Sequence, residues 1–176
     1  EEIYDTPTTP AAVVGSAGHL ALENFYSGVE KELAIQKGLE YMRGIGDFEI
    51  EFSKAKSRKA KREKRKAMEK EYLQAIGYYL ARPPRYRVLG VEMKGVVEVE
   101  GLPLPIKAVS DLVVESRAEP GAVDIVDHKF VASFSRGGSA KTLFIIQAIF
   151  NYYTVRELIG KPVRRFIVYE CKKTKN

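Results

Sequence analysis

The sequence predicts an α/β protein: an N-terminal helical region, then a central mixed β-sheet flanked by helices, with core order α-βββ-α-β. Three observations predict it. Residues from about 8 to 80 have helix-forming composition and patterning. Three runs of β-formers follow between about 86 and 131, punctuated by the turn residues Gly101 and Pro120-Gly121. A further helical stretch and a last apolar run come next, and a strand–helix–strand ending predicts a right-handed crossover with the last strand parallel to the third.

Pro7 and Pro10 introduce an amphipathic helical region over about 8–42, with a break near Ser27-Gly28. A second helical stretch, about 48–80, is rich in Lys, Arg, Glu and Ala and is stopped by Pro83-Pro84. The strand-like runs cover about 86–100, 104–115 and 122–131. A helix over about 140–159 ends at Gly160 before Pro162, and 163–171 forms the final strand. No internal repeat is visible, and 176 residues suit one compact domain over 1–176, with a helical region of about 8–80 and a sheet-and-helix region of about 86–171.

Hydrophobic content of 45% and charged content of 30% place the chain among soluble globular proteins. No apolar run approaches the ~20 residues of a membrane span, and no signal-peptide pattern opens the chain. The single cysteine, Cys171, allows no intrachain disulfide and points to a reducing, cytoplasmic setting. No G-x-S-x-G elbow is present, and with His19 and His128 as the only histidines a zinc cluster has few ligands to draw on. The stretch Ser135-Arg136-Gly137-Gly138-Ser139-Ala140-Lys141-Thr142 has Ser135 and Ala140 where a nucleotide-binding loop needs glycines, which excludes ATP there. A glycine-rich loop before a helix can still hold one phosphate, with Arg136 and Lys141 beside it, or serve as a plain connector.

The chemistry-bearing residues lie on the strand-like runs. Asp111 sits within Ala108–Val114, and Asp127-His128-Lys129 ends Ala122–Val126. Burying a charge costs several kcal/mol unless it is paired or bound to metal, so a D-x-K on a buried strand calls for a partner. Two carboxylates on neighbouring strands can converge on one hard divalent cation. Strand alternation then turns Lys129 to the face of Asp127, and Val126 and His128 to the other.

Charge is concentrated in one stretch. From Lys54 to Lys70 there are ten Lys and Arg against Glu63 and Glu69, a net +8 in a chain of +6, so the remainder is slightly negative. Arg58, Lys61, Arg62 and Arg65 fall at spacings that form one helical stripe, suited to a phosphate backbone or, more plainly, to a solvated helix face.

The pattern G-x-x-x-H-x-x-L-E from Gly15 to Glu23, followed by Asp111, Asp127-His128-Lys129 and Gln147 on a helix, resembles the RecB-like exonuclease branch of the PD-(D/E)XK nuclease superfamily. The resemblance covers nearly the whole chain, and the order α-βββ-α-β is that of the restriction-endonuclease-like core. It implies His19, Asp111 and Asp127 as side-chain metal ligands, the His128 backbone carbonyl as a further ligand, and Lys129 as the lysine that assists the attacking water. Glu92 matches an acid on the first core strand, Glu23 closes the helix motif, and Gln147 matches the family's helix glutamine. The tyrosine that usually follows four residues later is Asn151 here, with Tyr152 and Tyr153 just beyond, which makes Tyr152 the candidate supporting tyrosine.

The implied activity is metal-dependent hydrolysis of DNA phosphodiester bonds. The resemblance inclines toward an exonuclease acting on single- or double-stranded ends in recombination, repair or phage-type DNA processing, beside a helicase or recombination partner. Oxygen-rich ligation favours Mg²⁺ or Mn²⁺, and His19 makes Mn²⁺ easy to accommodate. Many relatives carry a four-cysteine iron–sulfur cluster, which one thiol cannot build. A structure-specific endonuclease and a catalytically silent DNA-binding subunit stay open as alternatives; the latter is expected to lose an acid or the lysine, all of which are present here.

Overall fold

The computed structural model describes residues 7–53, 55–135 and 142–174. Its elements are α1 (Pro10–Tyr26), α2 (Lys31–Gly44), α3 (Arg58–Ala81), β1 (Val88–Val97), β2 (Ile106–Glu115), β3 (Val123–Val131), α4 (Thr142–Ile159) and β4 (Val163–Lys172). The α/β class and the order of sheet elements agree with the sequence expectation. The chain divides into two compact units, one of Glu1–Pro83, Phe130–Ser133 and Cys171–Asn176, the other of Pro84–Lys129 and Phe134–Glu170.

In the helical unit, the Thr9 hydroxyl accepts from the Ala12 amide at 3.2 Å, and Pro10 starts α1 where its missing N–H costs nothing. Val13, Val14, Ala17, Ala21 and Leu22 recur at helical spacing and are buried. At Gly18 a Cβ would overlap the Phe130 ring, so only glycine lets that ring seat against α1. The expected break at Ser27-Gly28 is real: Gly28 has φ 94° and α2 starts at Lys31.

The expected helix from residue 48 is corrected. It starts at Arg58, where the Ser57 hydroxyl accepts from Ala60 N at 3.1 Å. Its approach is fixed by tertiary structure instead, through a parallel bridge between Thr8 and Ile50 and the burial of Phe52. Local helix propensity there is overridden by packing.

The second unit holds most of a four-stranded sheet in the order β1-β2-β3-β4. β1 and β2 pair antiparallel, as do β2 and β3. β4 runs parallel to β3, since Val123 N bonds Pro162 O at one end and Lys173 N bonds Val131 O at the other, both at 2.9 Å. Helix α4 packs on β1 and β2. Its Val155 joins Val113, Val123 and Ile125 in a fully buried cluster. Gly95 permits a close approach, because a Cβ there would lie 2.7 Å from the Thr154 Cβ.

Candidate active site

Asp111 lies in β2 and Asp127 in the neighbouring β3. The Asp111 carboxylate is stitched to β3 by the His128 backbone N–H, which donates to Oδ2 at 2.8 Å; His128 Nδ1 is 3.8 Å from the same oxygen. Asp127 is only 4% exposed. Its Oδ1 accepts from Lys129 Nζ at 3.0 Å and from Gln147 Nε2 at 2.9 Å, and Lys129 Nζ also lies 2.9 Å from Oδ2. Lys129 is therefore on the face of Asp127, as alternation requires, and its ammonium sits 5.9 Å from the Phe144 ring centroid. The buried His128 ring tilts against Tyr169 instead, at 5.9 Å between centroids.

Glu92 completes a row of acids on three adjacent strands. The register pairs Val91 with Leu112 and Met93 with Ser110, which leaves Glu92 opposite Asp111. One carboxylate oxygen of each lies within 4.8 Å of the other. Glu92 has φ 47°, a left-handed conformation inside a strand.

Both strands break step at this point. Val113 faces α4 through Val155, so strict alternation would turn Ser110 away from that helix. Yet the Ser110 hydroxyl donates to the Asn151 Oδ1 of α4. In β1, Met93 occupies the space that a Cβ on Gly90 would take, although residues three apart normally lie on opposite faces. The matched irregularities flank the two acids, while the register shift of the β1–β2 ladder lies between Val88 and Gly90.

The donor set suits a hard divalent cation: Glu92 and Asp111 each offer a carboxylate oxygen, the two within 4.8 Å of one another, and such cations take oxygen ligands.

His19 is half-buried on α1, its ring edge-on to Phe130 at 5.6 Å, and Glu23 follows one turn later on the same side. Tyr152 is not among the groups bonded to the carboxylates. Its hydroxyl accepts from Arg156 at 3.0 Å, its ring meets Tyr153 edge-on, and it lines a groove of about 720 Å³ with Glu98, Glu100 and Lys161. It is Asn151, one helical position earlier, that points into the sheet.

The basic stripe is rearranged. Arg65 is committed to α2: its guanidinium donates to Asp47 at 2.7 Å and to the carbonyls of Met42 and Ile45 at 3.0 and 2.5 Å. Lys61 and Arg65 both lie over the Phe52 ring. Arg58 and Arg62 stay exposed and form no ion pair among the described residues. Arg136 and Lys141 lie outside the described residues.

A family model for the PD-(D/E)XK nuclease superfamily matches residues 1–173. The chain belongs to that superfamily. Neither a curated protein nor a solved structure matches it significantly. Membership makes the chain a nuclease of a divalent-metal-using family with DNA as its substrate class. In this PD-(D/E)XK nuclease Asp111 and the Asp127-x-Lys129 triplet stand on the consecutive strands β2 and β3. Ser110 carries no signal in the sequence, and Asn151 stands out there only as the residue in place of the usual tyrosine. Small polar residues have no chemical signature until packing places them, and the only hint is that Asn151 stands four residues after Gln147.

Proposed function

We propose that this nuclease is a RecB-like DNA exonuclease using Mg²⁺ or Mn²⁺ and acting on DNA ends. The carrying observation is the row formed by Asp111, bonded to the His128 amide, and Asp127, bonded to both Lys129 and Gln147. The order of the motifs from His19 to Gln147 supports the branch, and the match over residues 1–173 supports treating the chain as one nuclease domain.

Asp111 and Asp127 would hold the cation, with Glu92, His19 and the His128 carbonyl as further ligands and Glu23 supporting. A cation held there would supply polarisation of the scissile phosphate and a lower pKa for a water molecule. Lys129 orients the nucleophilic water and offsets charge developing on the phosphate. Gln147 keeps the Asp127 carboxylate aimed, as hydrogen-bond partners of metal ligands do. Arg58 and Arg62 neutralise backbone phosphates, with Arg136 and Lys141 as additional contacts.

The test is degradation of end-labelled single- and double-stranded DNA beside a closed circle, with Mn²⁺. End-labelled DNA should be consumed and the circle spared; cleavage of the circle would make the protein an endonuclease. Asp111→Asn, Asp127→Asn and Lys129→Ala should each lose about a hundredfold or more in rate. Full cleavage by one variant removes that residue from the mechanism. Mn²⁺ should also raise the melting temperature of the wild type far more than that of Asp127→Asn, because it binds only the native site.

A further inference from the structure

The Ser110 hydroxyl and the Asn151 amide meet in the interior, both residues being 2% exposed. Ser110 donates to Asn151 Oδ1, and Asn151 Nδ2 donates to the Gln147 carbonyl at 2.8 Å. Gln147 in turn donates its side-chain amide to Asp127 Oδ1 at 2.9 Å. A chain of hydrogen bonds thus runs from β2, beside Asp111, through one turn of α4, to Asp127 on β3.

Around this chain α4 is held by contacts that carry little directional information. The Val155 cluster is apolar, and Gly95 opposite Thr154 sets how closely the helix approaches. Neither ties the rotation of the helix to a polar contact. A buried hydrogen bond does, because either partner left unsatisfied costs about 1–3 kcal/mol. Rotating α4 enough to break Ser110–Asn151 would also carry Gln147, one turn away on the same face, off Asp127.

We propose that Ser110 and Asn151 are positioning residues, whose buried bond sets the rotation of α4 on the sheet so that Gln147 holds the Asp127 carboxylate beside Lys129. This rests on the metal-site reading above for its consequence but not for its geometry. Asn151 makes the link because its short amide reaches Ser110 and the Gln147 carbonyl at once. Ser110 supplies the donor because the break in strand alternation turns it toward α4.

Four variants test this: Asn151→Leu, Ser110→Ala, the double variant Ser110→Ala/Asn151→Leu, and the conservative Ser110→Thr. The Gln147 side-chain amide resonance, assigned by its loss in Gln147→Ala, reports the bond to Asp127 directly. It should move to the position of a solvent-exposed amide in Asn151→Leu and in the double variant, and stay in place in Ser110→Thr. The double variant leaves no orphaned polar group, so its stability should recover relative to Asn151→Leu. A purely structural role predicts that the Gln147 signal recovers with it, and that result overturns the proposal, as does an unmoved signal in Asn151→Leu. Calorimetry with Mn²⁺ alone should show affinity about tenfold weaker in the double variant and unchanged in Ser110→Thr. Wild-type protein that binds no Mn²⁺ would overturn the metal-site reading instead, while the Gln147 resonance still decides this one.

Discussion

Glu92 and Ser53 are the two non-glycine residues at positive φ among the described residues, and Glu92 adopts it inside a strand. A left-handed conformation costs an L-residue roughly 1–2 kcal/mol, and such strain persists where surrounding structure imposes it, often at functional sites. Here it coincides with the acid opposite Asp111, so the strain and the juxtaposition of two carboxylates have one origin. Glu92→Gly and Glu92→Ala both remove the carboxylate, yet they should differ in stability. At an ordinary strand position Ala is the better residue, by about 0.5–1 kcal/mol, whereas at φ 47° Gly should be more stable than Ala by about 1 kcal/mol. Urea unfolding of the pair reads this directly, and Ala proving the more stable would mean that Glu92 in solution is ordinary β. Both variants should bind Mn²⁺ more weakly. The identity of this acid is legible in the sequence as a charge in an apolar run; its backbone is not, because nothing in Val91-Glu92-Met93 marks a reversal that the pairing of β1 with β2 creates.

Among the elements, α3 shows most clearly how composition and tertiary context divide the work. Its basic stretch is readable as a charged helix, but the stripe of Arg58, Lys61, Arg62 and Arg65 splits into two roles once the helix is packed. Arg65 supplies donors to two carbonyls at the C-terminal end of α2, which the helix itself leaves without intrahelical donors. Hydrogen bonds from a charged group of this kind are worth about 1.5–3 kcal/mol in partly buried settings. Arg65→Ala should therefore lower the unfolding free energy by about 1–2 kcal/mol, and Arg58→Gln with Arg62→Gln should leave it within about 0.5 kcal/mol. DNA binding should respond in the opposite sense. The Arg58/Arg62 pair should weaken affinity on every sequence and flatten the slope of log K against log salt by roughly 0.7–0.9 for every phosphate no longer neutralised. Binding and salt slope that match the wild type would return this face to the role of a solvated helix surface. The start of α3 is likewise illegible from propensity, since residues 48–57 are helix-compatible in composition but are held by the Thr8–Ile50 bridge and by buried Phe52.

Across the whole molecule, the order of elements is legible because glycine and proline punctuate most of the joints between them, and the acids and lysine stand out because charges are rare in apolar strands. The division into two compact units is not, since Phe130 and Cys171, at the ends of sheet strands, group with helices far away in sequence. These long-range placements also bury ionisable groups, which gives the chain a predictable pH response. Burial pushes the Cys171 thiol from 9.0 up to about 12 and raises the Tyr72 phenol above its ordinary 10.0. The Tyr86 phenol is raised too, first by burial and then by Tyr169. Each is an acid whose neutral form the native state favours, so the native state keeps protons that the unfolded chain has already released. Stability from these groups is fully present below pH about 9 and is lost as pH rises toward about 12. Urea midpoints should be level from pH 7 to about 9 and then fall. Cys171→Val removes the thiol's share while keeping a small apolar side chain, so its midpoint should fall less steeply above pH 9 and match the wild-type trend below it. Parallel curves for the two proteins across the alkaline range would show that Cys171 ionises as readily in the native state as in the unfolded one. The same burial predicts that a thiol reagent at pH 8 labels the native protein far more slowly than the urea-unfolded chain, since the thiolate is the reactive form.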